Sequence, residues 1–179
     1  MKMMKKVLAL ALAGAMALCI LTGCGGGGSS TVSTDDLVKA LNETGAAKFE
    51  VADGVTAEPA EIQKLQDRIN KKLQKNPSYT ITDAVELVMA EELVGNLKDE
   101  EIGTVVEGAC AVVEKSNNMS AATLAAQVVK NVTMITLTKT DDGANLRRKN
   151  ITLNVDDTYD IISVTLDTDK GVCTLVLFY

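Results

Sequence analysis

The chain has 179 residues, with 18 Lys and Arg, 24 Asp and Glu, no histidine and no tryptophan. This length allows one domain of ordinary size. The absence of histidine excludes a Ser-His-Asp or Cys-His triad and any zinc site with an imidazole ligand.

Lys2, Lys5 and Lys6 make a basic start, and Val7 to Leu21 then run for 15 residues without a charge. Spanning a bilayer takes ~20 apolar residues, so the segment predicts a secretory signal rather than a transmembrane helix. It ends in Leu21-Thr22-Gly23-Cys24: an aliphatic residue, two small residues and a cysteine. This resembles the lipobox of bacterial lipoproteins. The resemblance implies a diacylglyceryl thioether on Cys24, cleavage between Gly23 and Cys24, and lipid anchoring on the extracytoplasmic face of the cell membrane. Two acyl chains meet the requirement for stable anchoring, where one chain binds only marginally. Cys19 lies inside the apolar run and leaves with it as a small hydrophobe. The expected organisation is a cleaved signal at 1–23, a tether at 24–33 and a single domain at 34–179.

Loss of residues 1–23 removes three lysines and no acids, leaving 156 residues and shifting the net charge from −6 to −9. A domain this acidic repels the phosphate backbone, so nucleic acid is not an expected partner. Gly25 to Ser30 is four glycines and two serines, a flexible tether. Extended to Ser33, its nine residues reach roughly 15–18 Å, which keeps the domain near the bilayer.

Thr34 is placed to cap a first helix, with Leu37, Val38 and Leu41 on one face and Gly45 beyond its end. Lys48 to Val51 reads as a short strand. Glu58-Pro59 opens a second helix with Ile62, Leu65, Ile69 and Leu73 as its stripe, closed by Asn76-Pro77. A third helix starts at Thr82 or Asp83, with Asp83 and Glu86 spaced as a capping box. Its apolar residues leave little polar face. Asp99-Glu100-Glu101 then predicts a further helix through Ile102, Val105, Val106, Ala109, Cys110, Val112 and Val113. Ser120 caps another, through Leu124, Ala125, Val128 and Val129.

Beyond residue 132 the apolar period changes to two. Val132–Lys139, Arg147–Val155, Tyr159–Leu166 and Val172–Tyr179 are separated by Asp141-Asp142-Gly143, Asp156-Asp157 and Asp169-Lys170-Gly171. The last strand is apolar on both faces, which predicts that it is paired and covered. The expected class is α+β: four to five N-terminal helices, then a four-stranded antiparallel meander packed on them.

Few groupings suggest chemistry. The aspartates sit where turns favour them, and Asp167-Thr168-Asp169-Lys170-Gly171 fails the calcium-loop pattern. No phosphate loop is present, Glu91-Glu92 and Glu100-Glu101 read as solvated neighbours, and neither a metal nor a cofactor is expected. Cys110 and Cys173 sit at core-like positions, as two free thiols or a disulfide. Lys64, Arg68, Lys71, Lys72 and Lys75 fall on one face of the second helix, opposite its apolar stripe. Arg147-Arg148-Lys149 forms a second basic group. A cationic stripe on an acidic domain fits docking to an anionic envelope component: lipid headgroups, a wall polymer or an acidic protein.

The expected function is therefore a non-enzymatic, membrane-anchored binding or scaffold domain of the cell envelope. A first alternative is capture of a small ligand between helices and sheet. It rests on analogy with cone-shaped folds of the nuclear transport factor 2 type. A second alternative is a hydrolase that works without histidine, through carboxylates or a serine-lysine pair.

Overall fold

A computed structural model of the chain describes residues 32–54, 58–97, 100–114 and 119–179. The signal at 1–23, the lipid site Cys24 and the tether up to Thr31 lie outside the described residues. In chain order the elements are α1 (Thr34–Glu43), β1 (Lys48–Val51), α2 (Pro59–Lys75), α3 (Ile81–Asn96), β2 (Val105–Glu114), α4 (Ala121–Lys130), β3 (Val132–Thr140), β4 (Gly143–Asn150), β5 (Thr158–Thr168) and β6 (Gly171–Phe178).

Local chemistry sets the helix ends. The Ser33 side chain caps α1 by accepting from the Asp36 N–H at 3.1 Å, so the cap lies one residue before the expected Thr34. Pro59 occupies the first turn of α2, where its missing N–H costs nothing. The box on α3 is Thr80 with Asp83, not Asp83 with Glu86. Thr80 Oγ1 accepts from the Asp83 N–H at 3.1 Å, and Asp83 Oδ2 accepts from the Thr80 N–H at 2.9 Å. Ser120 caps α4 as expected.

The six strands form one mixed sheet in the order β1-β5-β6-β2-β3-β4, with β1 parallel to β5 and every other pair antiparallel. This corrects the four-stranded meander, although the class remains α+β. The hairpins β3–β4 and β5–β6 exist, but β4 and β5 do not pair; β2 enters between β3 and β6.

Two misread segments account for the difference. Val105–Glu114 is a central strand, not part of a helix. Its valines at 105, 106, 112 and 113 are β-branched, Gly108 lies mid-run, and Gly103 takes φ +87 just before it. A run buried on both faces has no period of its own, so i, i+3 and i+4 matches arise by density alone. The second segment is Arg147–Val155, of which only the part up to Asn150 is strand. Ile151 still bonds back to the Val132 carbonyl at 2.9 Å. The chain then crosses the α1/α4 face with Leu153 buried, and Asp157 accepts from the Lys48 N–H at 3.1 Å to start the β1/β5 pair. Val155 is 60% exposed.

Helices cover both faces of the sheet. On one side α2 and α3 pack Ile69, Leu73, Val85, Val88 and Leu93 against Val106, Cys110, Ile135, Leu137, Val164 and Leu175. On the other, α1 and α4 pack Leu37, Leu41, Leu124 and Val128 against Ala111, Val113, Ile161, Val176 and Phe178. Phe49, Tyr159 and Phe178 form an aromatic row beside α1, with successive ring centroids 6.1 Å apart. The expectation for the last strand holds: β6 lies between β5 and β2 and is buried along nearly its whole length.

The hydrogen bond from the Thr80 hydroxyl, then that from its N–H, holds the Asp83 carboxyl below its ordinary value of 3.8. A lowered folded value means the cap stabilises fully above the ordinary value and is lost as pH falls through the folded one. Thr80→Ala should cost about 1 kcal/mol near neutrality. In urea titrations, the stability gap between the native chain and Asp83→Asn should narrow as pH drops below the ordinary carboxylate value.

Candidate functional site

The basic stripe on α2 is a geometric consequence of its amphipathic winding. Ile69 and Leu73 are buried, so Lys64, Arg68, Lys71, Lys72 and Lys75 face outward or lie along the margins. The structure divides them. Helix α3 runs alongside, and its Glu91 and Glu92 reach the seam. Arg68 contacts both carboxylates, and Lys72 contacts Glu91. Lys64 pairs with Glu61 one turn back, at 2.6 Å. Lys71 and Lys75 stay exposed and, among the described residues, face no carboxylate within ion-pair distance. Partial burial pushes the Glu91 carboxyl up, but the Lys72 ammonium and then Arg68 more than offset it. The net value lies below the ordinary 4.5. The expected solvated acids are thus the partners of the expected stripe.

The second basic group is split by strand geometry. Alternation sends Arg148 to the α3 face and Arg147 and Lys149 to the other. Arg148 Nη1 donates to Glu86 Oε2 at 3.1 Å, and Glu86 is only 7% exposed. Pattern reading missed this inward carboxylate of α3. Its sequence signal is a glutamate inside the apolar run from Ala84 to Ala90, with an arginine on the facing edge strand.

Beneath this pair lies Cys110. Burial, then the Glu86 charge, pushes its thiol up to about 12, with Arg148 acting in the opposite direction. A thiol held protonated is a poor nucleophile. Cys110 stands opposite Leu177, whereas Cys173 stands opposite Glu114. That offset is four residues, roughly 13 Å along the strands, too far for a disulfide. Both thiols are buried, and they are not bonded to each other.

The aspartate turns hold protein partners. The Asp169 N–H donates to Asn70 Oδ1 at 2.9 Å, and its carboxylate accepts from Gln74 at 2.7 Å. The Lys170 ammonium donates to the carbonyls of Pro77 and Tyr79, at 2.6 and 2.5 Å. The segment expected to fail as a calcium loop instead pins the β5–β6 turn to the end of α2. No group of three or more Cys, Asp or Glu side chains suited to a metal occurs among the described residues.

An open groove of about 540 Å³ lies between α1 and the start of α4, lined by Val32, Asp36, Lys39, Ala40, Glu43 and Met119, among others. It lies outside both packed interfaces between helices and sheet. No protein-family model, curated protein or solved structure matches this chain.

Glu86 sets the cost of disturbing the edge strand. Arg148→Ala leaves a buried carboxylate without its partner and should cost about 3 kcal/mol in denaturant titrations. Replacing both residues, Arg148→Met with Glu86→Leu, should lie within about 1 kcal/mol of the native chain.

Proposed function

We propose that this chain is an exported lipoprotein, held by acyl chains on Cys24, whose domain works as a binding or scaffold module at the extracytoplasmic face of the membrane. The observation that carries the reading is the order of parts in the sequence. A basic n-region, a short apolar core and Leu21-Thr22-Gly23-Cys24 lead into a Gly/Ser tether, and α1 begins at its far end.

Binding rather than turnover is favoured by where the polar chemistry lies. The two interfaces between helices and sheet are filled by apolar side chains, and the cations lie on the outer surface. Lys71 and Lys75 form the outward part of the α2 stripe, suited to an anionic component of the envelope. A small ligand, the alternative reading, would find a place in the α1/α4 groove.

Mass analysis of the N-terminal peptide from membrane fractions of a bacterial host tests the anchor. The expected peptide begins at Cys24 and carries a diacylglyceryl thioether; an unmodified Cys24 or a chain beginning at Met1 would overturn it. The stripe is tested by binding of polyphosphate to the full chain in neutral detergent micelles. Lys71→Glu with Lys75→Glu should weaken binding several-fold, and unchanged binding would remove the stripe from the proposal.

A further inference from the structure

We propose that the free edge of β4 takes an extended acidic segment of a partner polypeptide as an added strand. The inference rests on the binding-module reading and names the partner's chemistry; it does not depend on the lipid anchor.

Strand β4 ends the sheet, and among the described residues no strand pairs with its outer side. All of its eight residues except Ala144 are exposed. An edge of this kind presents a row of main-chain donors and acceptors, which an extended peptide can complete. The other edge, β1, has four residues, carries both Lys48 and Glu50, and offers half the length.

Charge selects the occupant. Gly143–Asn150 contains Arg147, Arg148 and Lys149 and no acid, in a chain of net charge −6. Arg148 is already paired with Glu86. Arg147 and Lys149 lie on the opposite face, where no helix covers β4 and, among the described residues, no carboxylate stands within ion-pair distance of them. Their rungs are Glu107-Thr136-Arg147 and Ala109-Met134-Lys149. Glu107, the acid of the first rung, stands two strands from Arg147, about 10 Å away. It accepts from the Thr136 hydroxyl at 3.3 Å.

The pleat then specifies a pattern. Acids at alternate positions of an added strand would stand beside Arg147 and Lys149, which are themselves about 7 Å apart. The residue between those acids falls on the α3 face beside Arg148, whose charge Glu86 already answers, and the next positions along that face stand beside Leu146 and Ala144. Leu146 is 37% exposed, and its face favours apolar neighbours. The occupant is thus an extended segment that alternates acidic and apolar residues. A second copy of this chain fits poorly, because its β4 brings three more cations and no acid to answer Arg147 and Lys149.

The test uses the full chain in neutral detergent micelles at low salt and a labelled eight-residue peptide of alternating Glu and Val. Two controls keep its composition: one groups the glutamates in a block, and one carries N-methyl groups on alternate amides. The alternating peptide should bind, slow amide exchange across residues 143–150 and lose affinity as salt rises. Both controls, and Arg147→Glu with Lys149→Glu, should weaken binding roughly tenfold or more. Arg147→Gln with Lys149→Gln should give an intermediate loss without lowering the melting temperature. No binding, or equal binding by either control, overturns the proposal. Binding that survives charge reversal on β4 but is lost in Lys71→Glu with Lys75→Glu also overturns it, while leaving the binding-module reading intact on α2.

Discussion

The structure depends on a sheet that must be dry on both faces at its centre. Strand β6 is buried nearly throughout and β2 is buried on both faces from Cys110 to Val113, so each needs apolar side chains in both directions and a helical layer on either side. From this follow the two separate cores, the division of four described helices into α2/α3 and α1/α4, and the placing of polar strands at the rim. The rim can carry charge because only the centre must exclude water. That is why Arg147 and Lys149 lie on β4 and not on a strand nearer the core.

The same constraint decides what pattern reading could see. Helices α1, α2 and α4 each have one buried and one wet face, so their periods and caps stand out. Strands β3, β5 and β6 each adjoin a short Asp- or Gly-containing turn and were legible for the same kind of reason. Strand β2 was not. A segment buried on both faces loses the alternation that marks a strand, and its valines match helical spacing as well as any other. Had branching been weighted above spacing, Val105, Val106, Val112 and Val113 would have favoured a strand. The order of strands lay further from reach, because the crossing at residues 151–157 uses Ile151 and Leu153 to cover a core while leaving the sheet. Their alternation was real, but it belonged to a connection.

Charge was legible in kind and not in pairing. Both basic groups were visible as sequence clusters. Their division into satisfied and outward cations depends on which element lies alongside. Glu91 and Glu92 looked solvated because they adjoin each other on one helix, and their role comes from α2 across the seam. Glu86 looked like a capping residue, and tertiary packing turned it inward to Arg148. Side chains acquire such roles from neighbours more than 15 residues away, beyond the reach of any local window.

The parallel pairing of β1 with β5 places more than a hundred residues between Phe49 and its register partner Tyr159. A chain that emerges N-terminus first from the ribosome has no template for β1 until residues 158–161 have followed it. The inner faces of α1 and β1 must wait as well, since Phe49 and Leu41 pack with Ile161 and Phe178. Contacts this distant in sequence close late and slow the search for the folded state. The α1–β1 segment therefore completes its packing only after nearly all of the chain has been made.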